Sequence, residues 1–371
     1  MKYYLIAGEA SGDLHASNLM LALKKVDPEA EFRFWGGDLM QEAGGTLVKH
    51  YRELAFMGFL EVIANLRTIL KNIKVCKNDI LEYKPDTLIF IDYPGFNMRI
   101  AKWAKELNIP TQYYISPQIW AWKENRISAI KRDIDEMYVI LPFEKKFYEE
   151  KHQFPVHFVG HPLLDAIAKK ELVVPDEFRK EHQLDKRPII ALLPGSRKQE
   201  ISKMLETMLS ITDDFKEYQF IIAGAPSQDP EFYKPFIKKK NVHLVINKTY
   251  DVLSLSTAAL VTSGTATLET ALFKVPEVVC YKGGTISYQI AKRVVDLDYI
   301  SLVNLIMDKD VVTELIQNDF NPKKLKEELN KILDPENRKT IFEAYFELER
   351  KLGGAGASEK TAQLIYKSIK K

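Results

Sequence analysis

The sequence predicts an α/β protein built from two doubly wound domains that face a shared cleft. Three observations lead there. Short apolar runs alternate with amphipathic helical stretches, the alternation restarts once near the middle of the chain, and several runs end in glycine-containing turns that open a helix. At 371 residues the chain exceeds one ordinary core, and about 150 residues per domain points to two.

The first series of apolar runs covers Tyr3 to Ala7, Thr87 to Ile91, Thr111 to Ile115, Met137 to Leu141 and His157 to Val159. After Val173-Val174-Pro175, which reads as a linker, the rhythm restarts with Ile189 to Leu193, Gln219 to Ala223, His243 to Val245, Ala259 to Thr262 and Glu277 to Tyr281. Such alternation predicts parallel strands with crossover helices, whose ligand sites lie at the carboxyl ends of the strands. The expected division is residues 1–170, residues 171–345, and a closing segment 346–371. That segment holds a helix from Ser358 to Ile369 that packs back on the first domain or on a partner.

Composition excludes several classes. Lys and Arg number 53 against 51 Asp and Glu, a net charge of +2 that offers no general attraction to nucleic acid. Cys76 and Cys280 are the only cysteines, too few for a disulfide framework or a structural zinc site. Glu9 and Asp13 interrupt the first apolar run before a signal-peptide core develops, so a cytoplasmic protein is expected. No apolar run approaches the roughly 20 residues needed to span a bilayer, so any membrane contact is expected from the surface.

Four turns carry candidate chemistry. After the first run comes Gly8-Glu9-Ala10-Ser11-Gly12-Asp13, where glycines permit close backbone approach. Either Ser11 or Asp13 caps the following helix, or Ser11 and Gly12 meet a sugar or acceptor. The run ending at Ile91 delivers Asp92 into Tyr93-Pro94-Gly95, where Asp92 is the candidate general base for an attacking hydroxyl; the alternative is a turn cap. The run ending at Leu193 opens into Pro194-Gly195-Ser196-Arg197. Gly195 and Ser196 would admit a diphosphate and Arg197 would clamp it, unless Arg197 is only a surface cation; Gln199 is placed for a capping box with Ser196. In Ser263-Gly264-Thr265-Ala266-Thr267-Leu268-Glu269, small residues again open a helix, and Glu269 either accepts ribose hydroxyls or complements the helix dipole.

His161, in Gly160-His161-Pro162, is either a cleft contact or a packed hinge residue. The pairs Asp133/Asp135 and Asp296/Asp298 suggest a metal, but their surroundings argue against it, and no metal or cofactor is expected. From Met57 to Val75, Phe59, Val62, Ile63, Leu66, Ile69, Leu70 and Ile73 recur at helical spacing beside Arg67, Lys71, Lys74 and Lys77, with Phe56, Met57, Phe59 and Leu60 at the entrance. Such a stretch is a core helix or a basic amphipathic helix lying in lipid headgroups, and its apolar surface is wider than one stripe.

In this order these segments, together with Ser116-Pro117-Gln118-Ile119-Trp120-Ala121-Trp122, Leu141-Pro142-Phe143-Glu144 and Ser301-Leu302-Val303-Asn304-Leu305, closely resemble the bacterial lipid-A-disaccharide synthases over nearly the whole chain. The resemblance implies Rossmann-like domains of the GT-B type and an inverting, metal-independent glycosyl transfer. The donor would be UDP-2,3-diacylglucosamine and the acceptor 2,3-diacylglucosamine 1-phosphate, giving a β-1,6-linked disaccharide 1-phosphate and UDP. It makes Asp92 the base, Arg197 the diphosphate contact, Glu269 and Asn304 nucleotide-site positions, and Ser11 part of an acceptor-side loop. It also implies work at the cytoplasmic face of the inner membrane, with the 57–75 helix as the membrane contact, and a homodimer formed by exchange of chain ends. Gly95 departs from the pattern, because some members carry a second acid there. The competing expectations are a polyprenyl-acceptor transferase, a UDP-sugar epimerase of the same fold, and a non-catalytic binding module.

Overall fold

The computed structural model describes residues 1–54, 66–283 and 298–370. The chain forms two compact units, Met1–Lys169 with Leu352–Lys371, and Lys170–Lys351. In the first, strands β1 (Lys2–Ala7), β2 (Glu31–Gly36), β3 (Thr46–His50), β4 (Thr87–Ile91), β5 (Thr111–Tyr114), β6 (Glu136–Val139) and β7 (His157–Phe158) lie parallel in the order β3-β2-β1-β4-β5-β6-β7. The central strands are buried on both faces, hence their near-continuous apolar sequence. Helices α1 (Ala10–Val26), α2 (Leu66–Tyr83), α3 (Pro94–Glu106) and α4 (Pro162–Ala168) cover the sheet. On one face Tyr4, Ile6, Leu88 and Phe90 pack with Cys76 and Ile80 of α2 and Phe96, Ile100 and Ala104 of α3. A polar chain pins α2 to the sheet: Trp35 Nε1 donates to Tyr4 Oη at 2.9 Å, Tyr4 Oη donates to Asp79 at 2.7 Å, and Arg33 Nε donates to the same carboxylate at 2.9 Å.

The second unit holds β8 (Ile189–Leu193), β9 (Gln219–Gly224), β10 (Val242–Ile246), β11 (Ser256–Thr262), β12 (Glu277–Tyr281) and β13 (Thr313–Ile316), parallel in the order β10-β9-β8-β11-β12-β13. Its relevant helices are α5 (Lys198–Ser210), α6 (Thr265–Leu272) and α7 (Leu302–Met307). The chain then returns to the first unit as α8 (Ala357–Ile369), which packs on α1 and α4. Asp165 of α4 accepts from the backbone N–H groups of Gly356 and Ser358 at the start of α8, placing a carboxylate on a helix N-terminus.

The expected runs from Thr87, Ile189 and Glu277 form strands with the expected bounds, while β2, β3 and β13 were not anticipated. Two of these, β3 and β13, are edge strands with little buried surface, and β2 carries Arg33, whose charge is absorbed by Asp79. Of the proposed membrane stretch, Phe59, Leu60, Val62 and Ile63 lie outside the described residues, as does the side chain of Leu66. The described part of α2 buries Cys76 and Ile80 yet exposes Leu70, Val75 and Leu81, with Arg67, Lys71 and Lys74 also exposed. Among the described residues, no helix is long and apolar enough to cross a membrane.

Candidate active site

Strand order reverses once in each sheet, between β1 and β4 in the first and between β8 and β11 in the second. Loops leaving such neighbours in opposite directions open a crevice at the carboxyl edge. The four turns singled out above follow β1, β4, β8 and β11, so the fold brings them together two by two.

In the first unit, Asp92 and Tyr93 both take the left-handed conformation, with φ of 43° and 51°. Two consecutive non-glycine residues there cost about 1–2 kcal/mol each, so the surroundings must hold them. The Asp92 carbonyl accepts from Asn97 Nδ2 at 2.7 Å and Tyr113 Oη at 2.7 Å, and its N–H donates to Tyr114 O at 3.1 Å. Gly8 completes the join, since a Cβ on it would lie 2.3 Å from the Tyr93 ring. The Asp92 carboxyl is pushed up to about 6, first by burial and then by the negative charge of Glu9. It therefore sits where a carboxylate can both take and release a proton near neutrality.

Burial alone does not mark a site. Glu277 is also pushed well up by burial, yet it lies at 0% exposure inside the second unit, beside the Tyr345 hydroxyl. The contrast with Asp92 is one of position at a crevice.

In the second unit, Gly195, Ser196, Ser263, Gly264, Thr265 and Glu269 line one cavity of about 340 Å³. Gly195 (φ 99°) and Gly264 (φ 151°) adopt backbone that side chains resist, and a Cβ on Gly195 would collide with the Glu200 carboxylate at 2.3 Å. Gly264 is the N-cap of α6, no side chain caps that helix, and its first residues, Thr265 and Ala266, line the cavity. The Glu269 carboxyl is pushed up by burial, and Tyr250 Oη donates to its Oε1 at 2.8 Å.

Several expectations change in the structure. Asp13 does not cap its own helix: its carboxylate accepts from Gly37 N at 2.7 Å, and from Leu39 N and Met40 N at 3.1 Å, at the start of a neighbouring helix. Ser11 is exposed and Gly12 buried against Ala7. The Ser196 and Gln199 capping box does not form; Arg197, exposed, is the N-cap of α5, and the Ser196 carbonyl accepts from Gln228 Nε2 at 2.7 Å.

Asn304 is not an open contact. It is 0% exposed, and its amide donates to Val312 O and Glu314 and accepts from Val311 N and Val312 N. Glu314 in turn accepts from Ile300 N and Ser301 N, and Ser263 Oγ donates to Ile300 O at 2.9 Å, so Asn304 braces the cavity from behind.

His161 is a packed residue. It caps α4 by accepting from Leu163 N at 3.2 Å, and burial and neighbouring His15 push its imidazole down to about 3. The ring is neutral with its proton on Nε2, and a ligand contact would have to use that N–H. Asp133 pairs with Arg132 and Asp135 with Lys105, while Asp296 lies outside the described residues. Among the described residues no three His, Cys, Asp or Glu side chains gather as a metal site.

Sequence reasoning assigned no role to Glu144, Tyr250 or Glu200. Glu144 is buried, accepting from Ser116 Oγ at 2.7 Å, Trp120 Nε1 at 3.1 Å, Leu141 N at 2.9 Å and Ile140 N at 3.1 Å, and so binds the loop after β5 to the end of β6. The signal for it was an acid one turn after a strand and proline.

Solved structures show the fold. The chain matches a UDP-GlcNAc 2-epimerase from Neisseria meningitidis with a TM-score of 0.68 at 13% identity, covering 100% of this chain and 99% of that one. It matches the calicheamicin glycosyltransferase CalG4 with a TM-score of 0.63 at 14% identity, covering 100% and 98%. Epimerases and transferases thus share this architecture, and sequence separates them. A lipid-A-disaccharide synthase of Syntrophus aciditrophicus (strain SB) is 40% identical over 376 residues, 99% of this chain and 97% of that protein. One from Coxiella burnetii (strain CbuG_Q212) is 37% identical over 371 residues, covering 98% of each. The family model for lipid-A-disaccharide synthetase matches residues 3–367. With two parallel α/β sheets, both switch-point crevices and nearly the full length in register, the chain belongs to the lipid-A-disaccharide synthetase family.

Proposed function

We propose that the chain transfers 2,3-diacylglucosamine from UDP-2,3-diacylglucosamine to 2,3-diacylglucosamine 1-phosphate, with inversion and without a metal. The observation that carries this reading is Asp92, held at a switch point with its carboxyl near 6. The acceptor's 6-hydroxyl attacks the donor's anomeric carbon while Asp92 takes the hydroxyl proton. The bond from that carbon to the diphosphate breaks, and UDP leaves with the electron pair. In the second unit the N-terminus of α6 and Arg197 stabilise the diphosphate, and Glu269 accepts ribose hydroxyls.

Work at the cytoplasmic face of the inner membrane belongs to the same reading, supported by Leu70, Val75 and Leu81 exposed among cations on α2. A homodimer by exchange of α8 is supported by the glycines Gly353, Gly354 and Gly356 that precede that helix.

Incubation with both acylated sugars in detergent and a chelator, followed by mass spectrometry, tests the reaction. The expected products are the disaccharide 1-phosphate and UDP. Activity that vanishes with chelator and returns with magnesium overturns metal independence; no disaccharide, with UDP-N-acetylglucosamine consumed in a parallel tube, indicates an epimerase or another transferase.

A further inference from the structure

The loop after β5 carries a feature the reaction above does not use. It is rigidly mounted, because Glu144 holds Ser116 and Trp120 and Tyr148 Oη donates to Pro117 O at 3.2 Å. On that mount Trp122 is 50% exposed, unusual for so large an aromatic. Lys123 Nζ lies 3.8 Å from the centroid of its ring, and the Arg126 guanidinium carbon lies 5.9 Å from the same ring.

Two cations therefore share one ring. The intervening Glu124 is committed elsewhere, to Lys151 at 2.8 Å and His152 at 3.0 Å. Among the described residues no carboxylate comes within ion-pair distance of Lys123 or Arg126. Burial and the charge of Arg126 push the Lys123 ammonium down. An anion bound beside both would relieve that repulsion.

We propose that Trp122, Lys123 and Arg126 form a phosphate subsite that takes the phosphomonoester of the sugar acceptor. The assignment rests on the proposed reading of the reaction. Charge complementarity selects this occupant: a phosphomonoester carries about −1.5 to −2 at neutral pH, matching two cations, and the indole offers an apolar face to the sugar. Position agrees. β5 is the neighbour of β4, Tyr114 pairs with Ile91, and Asp92 N donates to Tyr114 O at 3.1 Å, so the loop that leads to the subsite leaves its strand beside the proposed base.

The test is equilibrium binding, which needs no turnover. 2,3-Diacylglucosamine 1-phosphate and dephosphorylated 2,3-diacylglucosamine are titrated separately in uncharged detergent micelles. The native chain is expected to prefer the phosphorylated sugar by about ten-fold or more. Lys123→Gln and Arg126→Gln should each reduce that ratio, and together bring it close to one, with UDP affinity unchanged as the check on folding. A native ratio near one, or a ratio that survives the double substitution, overturns the proposal. Flotation with phosphatidylglycerol and phosphatidylcholine vesicles separates the other source of phosphate. If the double variant loses phosphatidylglycerol binding while the micelle ratio stays, the cations serve a lipid surface and the proposal falls. A phosphate preference abolished by the substitutions, with no disaccharide formed when donor is added, supports the subsite and rejects the reaction instead.

Discussion

The two switch points share a topology and differ in chemistry. The crevice beside β1 and β4 presents a strained, desolvated carboxyl with a second acid, Glu9, raising its proton affinity. The crevice beside β8 and β11 presents glycines in conformations closed to other residues and an uncapped helix N-terminus. In the proposed reading one handles a proton and the other receives an anion. The parallel sheet supplies the opening in both cases, and the residues of two short loops decide what it does.

The largest expected effect separates the two. Asp92→Asn should lower turnover by roughly 10²–10⁴-fold while UDP affinity, a property of the second crevice, stays within about two-fold. Near-normal turnover would remove the base from the first crevice. The same substitution should not lower the melting temperature. A carboxyl that holds its proton up to about 6 when folded contributes its stability in full below the unfolded value, and loses it as pH rises through 6. At neutral pH the ionised group works against folding, and an amide avoids that.

A smaller effect is expected from the other side. Glu269→Ala should weaken UDP binding by about ten-fold, the worth of one or two hydrogen bonds to ribose, measured by titration calorimetry. The pH profile set by Asp92 should not move. A profile that did move would mean that the two crevices are not chemically separate.

The smallest effect sharpens the first crevice itself. The base must be ionised, so kcat/KM should fall as pH drops through about 6. Glu9→Gln removes the charge that helps to raise Asp92, and the acid limb should shift to lower pH by a few tenths of a unit. An unshifted limb would assign the profile to another group.

Much of this was legible in the chain. The buried strands β4, β8 and β12 read directly, because burial on both faces demands uninterrupted apolar runs. Edge strands β3 and β13 carry polar residues that water tolerates, so no pattern announced them. The loop motifs were also visible, since glycine and proline at a strand's end have few other uses. Their partners were not. Tyr250 reaches Glu269 from 19 residues away and Tyr113 steadies Asp92 from 21, and neither separation follows any helical or strand period. Asn304 and His161 were visible as unusual residues, but a side chain spent on backbone groups looks the same in sequence as one open to a ligand.

The sequence by itself determined the two-domain α/β class, the four loops at the switch points and the family, because these depend on local periodicity and on residue types at fixed spacing. Tertiary structure alone decided which loops meet, which polar side chains are already satisfied, and how far the Asp92 carboxyl is raised. Those properties depend on strand order, on burial and on charges brought close by the fold, and the linear chain contains none of these distances.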